Sequence, residues 1–162
     1  MPLSFIRNKT VEVEPLADNS LSVIWRLADT LTEAEVRLKV RPPDLEVTEA
    51  SARLQRFPHS ECIAVADSVS KIVGVRVGPG LRKIVDGLMG GTAGCPELIE
   101  GVLECANAVI LHFSVPQIRQ AAKLNEEEKV KRYRDMLRLN PRLAGSCIAF
   151  AAGSPFMKDN SC

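Results

Sequence analysis

LSVIWRLADTLTEAEVRLKVR, residues 21–41, decides the fold of this chain. Leu21 to Leu27 shows period-two patterning, and Val36, Leu38 and Val40 alternate with Arg37, Lys39 and Arg41. Side chains two apart share one face of a strand, so each segment has one dry face and one wet face. Upstream, Thr10 to Glu14 repeats the pattern; downstream, Leu45 and Val47 begin a further strand that runs on through Ala52 and Leu54. Asp18-Asn19-Ser20 and Arg41-Pro42-Pro43-Asp44 read as turns. Connections this short favour an antiparallel meander over βαβ units. The sheet is expected over about residues 5–56, with three to four strands.

At Pro58 the period becomes helical. Cys62, Val65, Ala66, Val69, Ile72 and Val73 fall on one helical face, with Ser60 as the cap. Gly78-Pro79-Gly80 opens a second helix carrying Leu81, Ile84, Val85, Leu88 and Met89, and Gly90-Gly91 stops it. A third helix begins at Cys95 and turns Leu98, Ile99, Val102, Leu103, Ala106, Val109, Ile110 and Phe113 inward. Cys105 borders that stripe and reads as a structural thiol.

After Pro116 the chain becomes charged. NEEEKVKRYRDMLRLN, residues 125–140, reads as a surface helix capped by Asn125, acidic first and basic last as the helix dipole prefers. Its basic cluster Lys129, Lys131, Arg132 and Arg134 is an alternative anion site. AGSCIAFAAGSPFM, residues 144–157, is expected as a final strand or buried extended segment around Cys147. The whole predicts an α+β fold: an antiparallel meander of three to four strands packed against three or four helices, the helical part over about 59–140. It reads as one domain over 1–155, with 156–162 a flexible tail that leaves Cys162 little functional weight.

Of the 162 residues, 46% are apolar and 25% charged, a balance that suits one domain with its own core. Twenty-one basic against 20 acidic side chains give a net charge of +1, which offers no electrostatic case for nucleic acid. With 4% aromatics there is no stacking platform for single strands either. The start, MPLSFIRNKT, lacks the apolar core of a signal peptide, and no run approaches the roughly 20 apolar residues that span a bilayer. The longest apolar stretch, Ala106 to Phe113, is broken by Asn107 and His112. A cytoplasmic protein without membrane or nucleic-acid partners is expected. A protein partner remains open, as does the oligomeric state.

The five cysteines, at 62, 95, 105, 147 and 162, include no CxxC pair, which favours reduced thiols, metal ligands or core residues over a disulfide framework. His59 and His112 are the only histidines, too few for a His-rich metal site. VRVGPG at 75–80 lacks the spacing of a dinucleotide loop and reads as a turn, and no Walker, G-x-S-x-G or H-E-x-x-H sequence occurs. GGTAGCPELIEGVLEC, residues 90–105, delivers Cys95 to a helix start, where free N–H groups and the dipole favour a thiolate. The alternative there is a small core cysteine.

Cys62, Cys95 and Cys147, delivered by separate loop-to-helix junctions, are expected to meet at one edge of the sheet. Thiolates suit zinc, an iron–sulfur cluster or sulfur transfer, with Glu97, His59 or Asp67 as the fourth ligand. The leading expectation is a non-catalytic domain holding such a species. One alternative is a thiol-dependent sulfur or acyl transferase with Cys95 as nucleophile. The other is a partner-binding module that uses the outer face of the sheet or the 125–140 helix.

FPHSEC (57–62), IVGVRVGPGLRKIV (72–85), GGTAGCPELIEGV (90–102) and LAGSCIAFAAGSP (143–155) resemble a bacterial family known as domain of unknown function 2889, over about residues 22–155. Members of that family usually carry Gly-Cys-Thr-His-Leu where this chain has Gly94-Cys95-Pro96-Glu97-Leu98, and often Cys-His where it has Cys147-Ile148. The departure removes both imidazoles from any metal site and leaves the three thiols. The order of sheet, Cys, helices, Cys and late Cys is also similar to iron–sulfur scaffold proteins of the NifU/IscU type. That resemblance implies a surface cluster at Cys62, Cys95 and Cys147, although Pro58-His59-Ser60-Glu61 replaces the usual small-residue loop.

Overall fold

The structure, a computed structural model, describes residues 4–157. Cys162 and most of the expected tail lie outside them. The chain divides into two compact units at the His112–Phe113 junction.

The first unit is built on the expected meander. Strands β1 (Arg7–Pro15), β2 (Leu21–Asp29), β3 (Glu33–Arg41) and β4 (Glu46–Arg56) form one antiparallel sheet in the order β1-β2-β3-β4. The register places Val11, Trp25, Val36 and Ala52 in one cross-strand row, and Val13, Val23, Leu38 and Ala50 in the next. These rows form the core face; Val23, Trp25, Val36 and Val40 are wholly buried. A one-residue slip would turn every one of them to solvent, so burial fixes the register.

Polar residues shape the turns. Asp18 accepts from the Ser20 backbone at 3.0 Å and from its hydroxyl, and Asn19 sits at φ 63°, a left-handed position that asparagine tolerates. Asp29 Oδ1 accepts from the backbone N–H of Leu31 at 2.7 Å and of Thr32 at 2.6 Å, closing the β2–β3 turn. Beyond β4, the chain returns along its edge: Val47 N–H donates to Val75 O, Gly74 N–H to Val47 O and Val77 N–H to Leu45 O. These bonds cover the first part of an otherwise open strand edge.

Helices cover the core face. Residues Ser60–Ile72 form a 3-10 helix, not the expected α-helix. With three residues per turn, residues three apart eclipse, and Val69 and Ile72 share the buried side while Val73 is exposed. Ser68 and Ser70 donate to the carbonyls three residues back, those of Val65 and Asp67, which suits the tighter winding. Ser60 does not cap the helix; its hydroxyl donates to Glu61. Helix α1 (Leu81–Met89) starts at Gly80, whose φ of 84° favours glycine, and buries Leu81, Val85 and Met89.

Helix α2 (Pro96–Ala121) is longer than the sequence pattern implies, running on past Pro116. Leu98, Val102, Cys105, Ala106 and Val109 are buried against the sheet as expected, but Ile110 and Phe113 are exposed. Their turns lie where the first unit ends. Among the described residues α2 alone is long and apolar enough to cross a membrane by length and composition, against the expectation of no such run. The expectation counted uninterrupted apolar residues, whereas Asn107, Ser114 and Gln117 interrupt the run without adding a charge and leave the helix apolar on average. Its first half belongs to the core of the first unit.

In the second unit, α3 (Glu126–Leu139) begins with the expected cap, completed as a capping box: Glu128 N–H donates to Asn125 Oδ1 at 2.9 Å, and Asn125 N–H to Glu128 Oε2 at 3.0 Å. Tyr133 packs on Phe156 and Phe150, with ring centroids 4.8 and 6.2 Å away. The expected last strand is absent from residues 144–157. Short 3-10 turns at Pro141–Leu143 and Ile148–Phe150 hold the segment, and Cys147 and Ile148 are exposed. The segment bonds locally, as in Gly145 N–H to Phe150 O, and has no strand partner.

Candidate functional site

The glycine-rich loop before α2 is a steric requirement. A Cβ at Gly94 would lie 1.9 Å from the Met89 carbonyl oxygen, and one at Gly90 2.3 Å from that of Asp86. Gly91 has φ 77°. Only residues without side chains let the chain reverse here between α1 and α2. Cys95 therefore stands directly before Pro96, its carbonyl accepting from Ile99 at 3.1 Å, and its half-buried side chain packs on the core.

The other expected ligands are Cys62, Cys147 and Glu97. Cys62 lies in the first turn of the 3-10 helix, half-buried, with its N–H donated to His59 O at 3.0 Å. Cys147 is exposed in the second unit. Glu97 is held by Arg7, Nη2 to Oε1 at 2.9 Å. Among the described residues no group of three or more His, Cys, Asp or Glu is placed to hold a metal ion. Cys105 is the core thiol expected: burial pushes it up to about 12.

The acidic face of α2 has a different task. Glu97, Glu100 and Glu104 recur at helical spacing and meet β1. Arg7 bridges Asp29 and Glu97, at 2.6 and 2.9 Å, while Lys9 Nζ reaches Glu100 at 2.5 Å and Glu104 at 3.8 Å. Glu104 also accepts from the Trp25 indole. This row of ion pairs fastens α2 to the sheet.

The outer face of the sheet carries an ordered grid of charges. Cross-strand rows read Arg26–Glu35–Arg53, Ile24–Arg37–Ser51 and Ser22–Lys39–Glu49. Glu35 accepts from Arg37 Nε at 2.6 Å and from Arg26 Nε at 3.0 Å, and Arg26 also pairs with Glu12. Lys39 Nζ lies 3.0 Å from Asp18 and 3.5 Å from Glu49. The Arg37 hydrogen bond, outweighing a smaller burial effect, holds the Glu35 carboxyl below its ordinary value. Asp18 raises the Lys39 ammonium in the same way. Arg53, directly opposite Glu35, has no ion-pair partner among the described residues. Two shallow hollows lie between these side chains: about 360 Å³ bordered by Ser22, Arg37, Lys39, Glu49 and Ser51, and about 170 Å³ bordered by Glu35, Arg37, Ser51 and Arg53. The sequence signal for this face was the run Arg37, Lys39, Arg41 in alternation with valine and leucine.

Residues 10–111 match the model of a family described as a protein of unknown function, DUF2889. No curated protein and no solved structure matches the chain, so the likeness in cysteine order to iron–sulfur scaffolds finds no support there.

Proposed function

The chain belongs to the DUF2889 family, and from that premise we propose that it is a protein-binding domain whose contact surface is the outer face of the sheet. One observation carries the reading: the charged side chains of that face are already held in place by one another before any partner arrives. Arg26, Glu35, Arg37 and Lys39 each keep at least one ion-pair partner across or along the strands. Preordered charges lose little side-chain entropy on docking and select partners by complementary charge order. The hollows are shallow and of mixed polarity, a shape suited to side chains of another protein. Arg53, opposite Glu35 and without an ion-pair partner among the described residues, supplies a donor at the rim.

The test places a photo-cross-linking residue at Ser51, beside Arg37 on the outer face, and at Ile84 on the exposed side of α1 as control. A protein adduct from the Ser51 position, lost on Arg37→Glu and absent from Ile84, is expected. Equal adducts from both positions, or none from Ser51, overturn the reading.

A further inference from the structure

The smaller hollow on the outer face of the sheet, about 170 Å³, is rich in donors and short of acceptors. Its polar borders are Glu35, Arg37, Ser51 and Arg53. The register brings them together: Arg53 stands opposite Glu35 on the neighbouring strand, and the short side chain of Ser51 stands opposite Arg37 and leaves the space open. Glu35 is the acid among them, and both of its oxygens are engaged. Oε1 accepts from Arg37 Nε at 2.6 Å and Oε2 from Arg26 Nε at 3.0 Å. Arg37 therefore commits its Nε–H alone, and its Nη groups have no acceptor among the described residues. Arg53 has no ion-pair partner among them either. Arg26, Arg37 and Arg53 set three positive charges against the two negative charges of Glu12 and Glu35, which leaves one positive charge uncompensated. The Glu35 side chain is 15% exposed and that of Arg37 56%, so an arriving group meets the guanidinium before the acid.

We infer that this hollow receives an acidic side chain of the protein partner, its carboxylate held by Arg53 and by the Nη groups of Arg37. The inference rests on the reading of the outer face as a protein-binding surface and names the chemistry of one contact there. A guanidinium offers its N–H groups in a planar fork that matches a carboxylate. One surplus positive charge suits the single negative charge of an aspartate or glutamate, whereas a dianionic phosphate would bring its second charge against Glu35. The larger hollow has no such vacancy, because Lys39 is already shared between Asp18 and Glu49. Both arginines are solvent-exposed, so the contact is weak and salt-sensitive by itself. Its role is to select which partner docks.

Nuclear magnetic resonance of the full chain at about 0.05 M salt, read at the arginine Nε–Hε signals, tests the inference. The probe is the blocked peptide acetyl-Ala-Glu-Ala-amide, with its glutamine counterpart as control. The glutamate peptide is expected to shift Arg37 and Arg53 saturably, and the glutamine peptide to shift neither. Arg53→Gln is expected to weaken the response at Arg37 about threefold or more. Arg82→Gln, on α1, is expected to leave it unchanged. Shifts at Arg82 as large as those at Arg53, an equal response to the glutamine peptide, or an Arg53→Gln variant that binds as the wild type does each overturn the inference. A photo-cross-linking residue at Ser22, beside the larger hollow, separates this inference from the reading beneath it. An adduct that Arg53→Gln loses supports the carboxylate contact, and one that it keeps in full overturns that contact while leaving the face a binding surface. Absence of an adduct from both Ser22 and Ser51 in the wild type overturns the reading of the face and the inference with it.

Discussion

The indole Nε1 of Trp25 donates a hydrogen bond to the Glu104 carboxylate, and the α2 backbone at Gly101 lies against the same ring. A Cβ at Gly101 would come 2.7 Å from Trp25 Cε3. The close approach of α2 to the sheet thus depends on a glycine above the ring and an acid at its edge.

Gly101→Ala tests this contact through its sign. In a free helix the change would stabilise by up to about 1 kcal/mol. Against Trp25 it forces the helix outward, and a loss of about 1–3 kcal/mol is expected, read from the denaturation midpoint. Glu104→Leu strands the buried indole donor at a cost of about 1–3 kcal/mol, whereas Glu104→Gln keeps an acceptor and recovers most of it.

The cysteines are expected to alkylate in order of exposure. Cys147, exposed in the second unit, reacts first with iodoacetamide near pH 8 in the native protein. Cys105 reacts only after unfolding, because burial raises its thiol to about 12 and closes access to it. Peptide mass spectrometry over a time course resolves the sites. Labelling of native Cys105 at the rate of Cys147 would show the core to be packed otherwise.

The meander was legible because every strand is wet on one face: Arg37, Lys39 and Arg41 mark the register of β3 as clearly as Val36, Leu38 and Val40 do. The helix over 60–72 misled because apolar residues at 62, 65, 66, 69, 72 and 73 fit a 3.6 period, while serine-to-carbonyl bonds and a three-residue repeat do not alter that pattern. Cysteine order along the chain carries no distances, so it cannot by itself place Cys62, Cys95 and Cys147 together. Nothing local in the sequence reveals Arg7 and Lys9, some 90 residues away, as the partners of Glu97 and Glu100. Ion pairs between distant segments leave no periodic trace.

Acid should weaken the β2–β3 turn. Burial opposes the charge of Asp29, but the backbone N–H groups of Thr32 and Leu31, with Arg7, together hold its carboxyl below the ordinary 3.8. A folded value below the unfolded one means that its contribution is complete above pH 3.8 and disappears as pH falls beneath that value. Asp29→Asn keeps the turn acceptor and loses the ion pair with Arg7. The variant is expected to be less stable near neutrality and to lose less stability below pH 3.8 than the wild type, as followed by thermal melts across that range.

Asn125→Ala isolates the second unit. The substitution removes the acceptor for Glu128 N–H and leaves the Glu128 side chain reaching an uncapped turn. Such caps contribute about 1 kcal/mol. Most of α3 is exposed, with Leu137 its one buried residue, so little packing compensates. Hydrogen exchange is therefore expected to quicken about fivefold through the first turns of α3, while β2, β3 and the first half of α2 keep their protection. Asn125→Asp, which retains the acceptor and places a negative charge at the helix start, should restore slow exchange in α3. Uniform acceleration across both units would instead mean that the chain opens as a single cooperative body.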